Sequence, residues 1–501
     1  MIKKLHTFLI FLVIVAANSC TSDLSHSVQV DRLPVIFPDY TGIVIPPNIA
    51  PLNFAIKEKG DLFVARFSVE DNLPITVESS DGIIEINISK WHELLQTAKG
   101  GEINVDVFVR NENGQLQKFK TIVNRVAEEE IDNHLVYRLI NTGYVMWSKM
   151  GIYQRNLENF DESAVIDNQT IDNTCVNCHS FSRNDPKSMM VHVRATNAGT
   201  VIYEGGKLKK INSKTKYTLS PGGYPNWHPD GKHIAYSVNR ISQRFFSKDI
   251  RIEVTDAASD IIVFDAEKNI VSTSPLVSTD SRENLPNWSP DGKYLYFISA
   301  PAVTDYESEV HTRYDLLRIR YDVEKNVWGK VDTVVSSREL GKSITFPKIS
   351  PDGKYLMFTA AEHGYFTIHY PDADLYLLDL QTGQYKKMDI NSPKTTDSYH
   401  CWSSSGRWFV FSSKRIDELF TRPFFCYFDN EGNPSKPFVL PQEDPGFYDS
   451  FLINYNIPEL ITGAVEPSPF DLRELILSVA KPVSLDDAVD TVYMRDHLKK
   501  K

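Results

Sequence analysis

Apolar and polar residues alternate along most of this chain in short runs, the period-two pattern of strands that bury one face. In the first quarter of the chain the clearest runs cover residues 62–67, 83–88 and 103–109. The pairs Asp-Gly, Gly-Gly and Asn-Gly separate such runs, and glycine there supplies the positive φ of a tight turn. The pattern predicts a small β-sandwich-like domain over residues 33–126.

A turn motif recurs at regular spacing in the second half of the chain. The tripeptide Pro-Asp-Gly begins at Pro229, Pro290 and Pro351, and a degenerate Ser-Ser-Gly copy begins at Ser404. Each copy precedes an apolar strand, such as residues 294–298. Proline presets φ at the turn entry, aspartate caps the turn and glycine adopts positive φ. Regular repeats of this length, with about four strands each, predict a β-propeller.

The three complete copies resemble the TolB-type propeller repeat, a bacterial relative of WD-repeat propellers. They read Tyr-Pro-Asn-Trp-His-Pro-Asp-Gly-Lys from Tyr224, Leu-Pro-Asn-Trp-Ser-Pro-Asp-Gly-Lys from Leu285 and Phe-Pro-Lys-Ile-Ser-Pro-Asp-Gly-Lys from Phe346. The resemblance implies a mainly β fold with a TolB-like propeller of about six blades over residues 181–481. Residues 127–180 are then predicted to form a bridging segment, and residues 482–501 a C-terminal tail.

The composition and the net charge limit the kinds of binding partner that we expect. The formal net charge is -11 and the isoelectric point about 5.7. An acidic protein is repelled by phosphate backbones, so we do not expect a nucleic-acid partner.

The N-terminus has the features of an export signal. Lys3 and Lys4 precede an apolar run over residues 5–17, which is too short to span a membrane. Small residues then lead to Cys20, as in a bacterial lipobox, so residues 1–20 are predicted as a lipoprotein signal and residues 21–32 as a tether. The expectation is a lipid on Cys20 and a place in the cell envelope, facing the periplasm or in the outer membrane. Cleavage at a plain signal site is the alternative, and it also predicts export.

One short motif indicates a cofactor-binding site. Cys175, Cys178 and His179 form a Cys-x-x-Cys-His sequence, the attachment signature of c-type haem. Thiols three positions apart can bind the two vinyl groups of one porphyrin edge, and the adjacent imidazole then becomes the proximal iron ligand. The sequence therefore predicts one haem c. A disulfide between the two cysteines and a metal site are the alternatives; a zinc site needs a second pair of ligands at matching spacing, which the sequence does not show.

The sixth iron ligand is less defined by sequence. Met150 is the first candidate, because it lies in an aromatic stretch that could fold over the haem, with Met146 and His192 as alternatives. Two further cysteines, Cys401 and Cys426, fall in one presumed blade, where a disulfide and two separate buried thiols are both compatible with the sequence.

The motif and the fold together predict a membrane-anchored, single-haem c-type cytochrome that acts in electron transfer or redox sensing with an unidentified redox or envelope partner. The alternative is a propeller scaffold for protein or ligand binding in the envelope, with the haem structural or absent. A prolyl-oligopeptidase-type hydrolase is not expected, because the sequence has no Gly-x-Ser-x-Gly and little chain follows residue 480. Peroxidase-like chemistry would require an iron without a sixth protein ligand.

Overall fold

The structure is a computed structural model that describes residues 24–70, 73–146, 148–245, 252–303 and 305–501. In this part of the chain most regular structure is β, arranged in eight small sheets. The prediction of a mainly β fold is confirmed. None of the helices among these residues is long and apolar enough to cross a membrane. The predicted signal and lipid site at Cys20 lie outside the described residues.

The N-terminal part consists of a seven-stranded sheet, a three-stranded sheet and one helix, which share a buried apolar core. Its elements, in chain order, are β1 (Val28–Val30), β2 (Ile36–Phe37), β3 (Val44–Ile45), β4 (Phe54–Ile56), β5 (Leu62–Ser68), β6 (Ile75–Ser79), β7 (Ile83–Ile84), α1 (Ile88–Thr97), β8 (Glu102–Arg110), β9 (Leu116–Phe119) and β10 (Ile122–Val126).

The helix α1 is the main local difference from the sequence prediction. The alternation over residues 83–88 predicts one strand, but β7 ends at Ile84 and the helix begins at Ile88. The Asn87 side chain caps the helix by accepting from the Lys90 N–H. Trp91, Leu94 and Leu95 are buried. Their i, i+3, i+4 spacing is the helical signal that the shorter period-two run obscured.

Residues 134–461 form six sheets of four strands each among the described residues, and two of these sheets gain a fifth strand from residues 481–485. The first five groups of elements are β11 (His134–Ile140), β12 (Met150–Asn156) and β13 (Glu162–Asp167); β14 (Cys175–Ser182), β15 (Asp185–Arg194), β16 (Gly199–Glu204) and β17 (Lys207–Asn212); β18 (Gly222–Trp227), β19 (His233–Phe245), β20 (Ile252–Asp265) and β21 (Ile270–Ser272); β22 (Ser281–Trp288), β23 (Tyr294–Pro301), α2 (Tyr306–Glu309), β24 (Asp315–Asp322), β25 (Val327–Val335) and α3 (Ser337–Leu340); β26 (Ser343–Ile349), β27 (Tyr355–Ala361), β28 (Asp374–Asp379) and β29 (Tyr385–Lys387).

The remaining elements complete the chain. They are β30 (Asp397–Trp402), β31 (Trp408–Ser413), β32 (Arg422–Tyr427), β33 (Phe438–Val439), α4 (Phe447–Ser450), β34 (Asn454–Ile461), α5 (Pro469–Leu477), β35 (Lys481–Pro482), β36 (Ser484–Leu485) and α6 (Thr491–Lys500).

These six sheets are the blades of a β-propeller. Each blade has an innermost strand that contacts the innermost strand of the next blade, in the order β14, β18, β22, β26, β30, β34, and β34 contacts β14 again. The sixth blade joins distant parts of the chain, because β34 pairs with β11 in the order β13-β12-β11-β34. Pairing of a late strand with early ones closes the ring and leaves only short sheet edges.

The predicted bridging segment, residues 127–180, differs from the observed structure. Its residues 134–167 form β11, β12 and β13, and Cys175–Ser182 is the innermost strand of a blade. The sequence repeats did not reveal that β11, β12 and β13 belong to a blade, because these strands lie almost 300 residues before their partner strand β34 and carry no Pro-Asp-Gly turn.

The predicted C-terminal tail also differs, since β35 and β36 add to two blades. The Lys501 ammonium is buried and donates to the Asp260 carboxylate at 2.7 Å.

Every innermost strand has a bulge at the same point, and this bulge shapes the channel. Register shifts occur at residues 177–178, 224–225, 285–286, 346–347, 399–400 and 457–458. In five blades the first bulge residue has a φ between 46° and 51°: Tyr224, Leu285, Phe346, Tyr399 and Ile457. Large side chains adopt this left-handed conformation only when the surrounding packing imposes it. The bulge re-aims the next side chains of each strand towards the propeller axis.

Candidate active site in the propeller channel

Three cavities follow one another along the inner strands. We call them the upper cavity, of about 1070 Å³, the middle cavity, of about 680 Å³, and the lower cavity, of about 1290 Å³. The upper cavity lies where the inner strands begin, near Asn454, and the lower one where they end, near Trp227 and Trp288. A central channel with its opening at one face is a common position for ligand sites in closed β architectures.

Two rings of equivalent residues form the wall between these cavities. The proline-level ring, named after its four prolines, consists of the second bulge residue of each blade: Cys178, Pro225, Pro286, Pro347, His400 and Pro458. The polar ring is the residue after it: His179, Asn226, Asn287, Lys348, Cys401 and Glu459.

The polar ring also joins neighbouring blades. The Asn226 side chain accepts from the Trp288 N–H at 2.7 Å, and Glu459 accepts from the Phe181 N–H at 3.1 Å.

The upper cavity is lined by cations. Arg138, Arg194 and Lys414 line it, together with the imidazole of His369. Among the described lining residues there is no aspartate or glutamate. Low-dielectric walls strengthen the attraction of these cations for a negative ligand. In a chain with a formal charge of -11, a cavity whose described charged lining residues are all basic points to an anionic ligand.

Groups that can donate or transfer a proton face the same cavity. Burial raises the pKa of Tyr399 well above its ordinary value, so its phenol stays protonated and can donate a hydrogen bond. Burial likewise raises the pKa of Tyr224. Cys178 and the His369 imidazole also line the cavity. The side chains of this site thus combine anion binding with general acid–base groups.

The middle cavity holds a separate set of buried ionisable groups. Burial raises the pKa of Glu459 to about 7, against the opposing effects of the Lys348 charge and the Phe181 N–H. Burial also lowers the pKa of His179 to about 3, and the positive charge of Arg138 acts in the same direction. His179 is therefore neutral at physiological pH.

The structure separates the residues of the predicted haem motif. Cys178 and His179 line the middle cavity, whereas Cys175 packs at the edge of a buried apolar cluster and lines none of the three cavities. The motif lies on a paired strand with a register shift between Val176 and His179.

The candidate sixth ligands also separate. Met146 lines the upper cavity with Cys178 and accepts a hydrogen bond from Gln243 at 3.4 Å. Met150 is buried in the same apolar cluster as Met146. His192 is buried and its Nδ1 lies 3.0 Å from the Thr200 hydroxyl, away from the three cavities. Covalent haem attachment and each of these ligand assignments stay predictions.

Cys401 and Cys426 are separate free thiols. They lie on β30 and β32, with β31 between them: Cys401 is opposite Val410, and Cys426 is opposite Phe409. Two strand spacings of about 4.8 Å place their Cα atoms beyond the roughly 7 Å limit for a disulfide. Burial raises the pKa of both thiols to about 12, so both are protonated and unreactive.

Sequence reasoning missed the cations of the upper cavity. Arg138 lies on β11, Arg194 at the end of β15, and Lys414 just after β31. They come from three blades and belong to no motif. The usable signal was the first residue of the repeats, such as Tyr224 and Tyr399, because side chains at that position line the channel in five blades.

The fold and this site define the chain as a β-propeller protein with a cationic axial cavity. No family model matches it. It is 26% identical over 204 residues to the uncharacterized peptidase YuxL of Bacillus subtilis (strain 168), an alignment that covers 38% of this chain. The chain spans only 29% of that relative's length.

The chain is also similar to solved structures. An oligogalacturonate lyase from Vibrio parahaemolyticus is 12% identical, with a TM-score of 0.36, over 60% of this chain and 78% of the lyase. The periplasmic gluconolactonase PpgL of Pseudomonas aeruginosa is 11% identical, with a TM-score of 0.34, over 62% of this chain and 97% of the lactonase.

The prediction of a single-haem electron-transfer or redox-sensing protein is wrong. The curated relative is named a peptidase and not a cytochrome. The alternative of a binding scaffold has no support in these matches either. The physical origin of the error is the motif's position: Cys178 occupies a proline position of the channel wall, and His179 occupies the polar ring.

Proposed function

We propose that this chain is a propeller enzyme of the hydrolase or lyase type, and that its substrate is a small anionic molecule bound in the upper cavity. One observation carries the proposal. Arg138, Arg194 and Lys414 line this cavity without a carboxylate among the described lining residues.

The proposed roles follow from the side-chain chemistry. The guanidinium groups of Arg138 and Arg194 bind a carboxylate or phosphate of the substrate, because their planar donors match two acceptor oxygens. The protonated Tyr399 phenol donates to the same ligand or to a developing negative charge. His369 is the side chain at this cavity best suited to accept and return a proton near neutral pH.

Ligand binding tests the anion part of the proposal. The full chain is titrated with glucuronate, gluconate and glucose 6-phosphate, and with glucose as the neutral reference, while thermal unfolding and calorimetry report binding. We expect anionic ligands to bind and glucose not to bind. Arg194→Met should weaken anion binding about 10- to 100-fold, the effect of losing one hydrogen bond to a charged group.

Arg66→Met is the matched control, because Arg66 is exposed on the N-terminal sheet. Equal binding of glucose and the anions, or equal effects of the two arginine variants, contradicts the proposal. Turnover is measured by mass spectrometry of products from a library of carboxylated and phosphorylated compounds. His369→Ala should abolish product formation while anion binding remains.

We further propose that the propeller is TolB-like, that the N-terminal part is a β-sandwich-like domain, and that a lipid on Cys20 anchors the chain in the cell envelope. The repeated Pro-Asp-Gly turns support the first statement, and the short apolar run before Cys20 supports the last. Labelling of cells with an alkyne fatty acid tests the lipid. Cys20→Ser should lose the label, whereas Cys426→Ser, which changes a buried thiol, should keep it.

A further inference from the structure

Two histidines and an aspartate meet at the turn that follows β18. His228, Asp230 and His233 place two ring nitrogens and a carboxylate oxygen within 4.8 Å of one another. The Asp230 Oδ2 lies 3.0 Å from His228 Nδ1 and 2.6 Å from His233 Nδ1. We call these three residues the His–Asp–His cluster. It lies outside the upper cavity and has no role in the proposed function.

The hydrogen bonds of His228 fix where its proton is. Its Nε2 lies 3.0 Å from the Gly292 carbonyl oxygen, which can only accept, so Nε2 carries the hydrogen. Its Nδ1 accepts from the Asp230 N–H at 3.2 Å. The Nδ1 lone pair therefore also faces the Asp230 carboxylate at 3.0 Å. A proton or a metal ion between Nδ1 and the carboxylate makes this contact favourable, and a metal ion bound to Nδ1 would replace the hydrogen bond from the Asp230 N–H.

The surrounding groups match those around a metal-binding histidine. Such a histidine usually donates its other ring N–H to a backbone carbonyl or a carboxylate, which sets the tautomer and the orientation of the ring. The Gly292 carbonyl has this position for His228. The Asp265 carboxylate lies near His233, with Oδ2 at 3.6 Å from Nε2, which is beyond hydrogen-bonding distance.

The cluster is specific to one repeat. In the next two repeats the position of His228 is occupied by Ser289 and Ser350, and that of His233 by Tyr294 and Tyr355. There the serine hydroxyl donates to the turn aspartate at 2.6 Å and accepts from the tyrosine N–H at 3.0 Å. The turn thus folds without histidines, so its backbone geometry does not require the two imidazoles.

We propose that the His–Asp–His cluster binds one divalent zinc ion through His228 Nδ1, His233 Nδ1 and the Asp230 carboxylate. Two imidazoles and a carboxylate are borderline and hard donors that suit Zn²⁺, whereas Ca²⁺ and Mg²⁺ prefer oxygen ligands alone. Three protein ligands leave a coordination position for water or for another ligand.

The test is a zinc titration of the full chain after removal of metal with a chelator. Isothermal calorimetry with ZnCl₂ should show one site per chain, and Co²⁺ should give the absorption bands of a low-coordinate site. His228→Ser with His233→Tyr gives this turn the residues of the next two repeats, so it should fold with unchanged circular dichroism. This double variant should lose at least about 100-fold in zinc affinity. Asp265→Asn, which removes a negative charge 3.6 Å from His233 Nε2, should weaken zinc binding by less than the double variant does.

Undiminished zinc binding by the folded double variant overturns the proposal, because the ion would then be bound elsewhere. The absence of zinc binding by the wild-type chain overturns it as well. Equal or tighter binding of Mg²⁺ or Ca²⁺ at this site would refute the assignment to zinc.

Discussion

Glu459 provides the sharpest test of the channel's electrostatics. This residue of the polar ring is partly buried beside Lys348 and accepts a hydrogen bond from the Phe181 N–H at 3.1 Å. Burial raises its pKa from 4.5 to about 7. Glu459→Gln keeps the shape of the side chain and an oxygen that can accept from Phe181, but it removes the charge.

The sign and the size of the effect follow from the two pKa values. Below pH 4.5 the carboxyl is protonated in both the folded and the unfolded chain, so its burial causes no pH-dependent change in stability there. Between pH 4.5 and 7 the folded state keeps a proton that the unfolded state has lost, and stability therefore falls as pH rises. At 1.36 kcal/mol per pKa unit, the buried carboxylate destabilises the fold by about 3 kcal/mol above pH 7.

The assay is urea unfolding followed by tryptophan fluorescence at pH 5 and pH 8. Relative to the wild-type chain, Glu459→Gln should gain about 2–3 kcal/mol of unfolding free energy between the two pH values. Other groups titrate equally in both proteins and cancel in the difference. Glu102→Gln, at an exposed position of β8, should show no such pH dependence. A constant difference between Glu459→Gln and wild type at both pH values would refute a raised pKa at this residue.

Two further predictions concern buried charge and turn geometry. Arg282→Met should destabilise the chain by about 3–5 kcal/mol in urea unfolding, because it leaves the Glu309 carboxylate, 2.6 Å from the guanidinium, buried without its partner. Adding Glu309→Gln should restore at least about 1 kcal/mol, and a double variant as unstable as the single one would contradict this. Gly292→Ala should destabilise the chain by at least about 1 kcal/mol more than Gly353→Ala in the same assay. Both glycines have positive φ, so both variants carry the same backbone strain. A Cβ at position 292 would also lie 2.5 Å from His228 Nε2, whereas one at position 353 meets no atom within 4 Å. Equal losses of stability in the two variants would show that backbone strain alone causes the destabilisation.

The difference between prediction and structure is clearest at the Cys-x-x-Cys-His motif. In sequence it is a rare pentad with a well-understood use, and the spacing alone favours haem. In the structure the same residues belong to β14, where the bulge places Cys178 at a proline position and His179 in the polar ring. The backbone conformation that presents the motif depends on pairing with β15 and packing against β18, which the pentad itself does not encode.

Local sequence determined the strands, the turns and the repeat of this protein. Pro-Asp-Gly and the alternation of apolar residues act through neighbouring residues only, through φ preferences and the two faces of a strand, so they can be interpreted without coordinates.

Tertiary structure decided the closure of the ring and the site. β11 and β34 pair across more than 300 residues, and the cations Arg138, Arg194 and Lys414 come from three different blades. Such contacts depend on how the whole chain buries its apolar faces, and no local pattern specifies them. The cationic cavity therefore became visible only when the blades were placed around one axis.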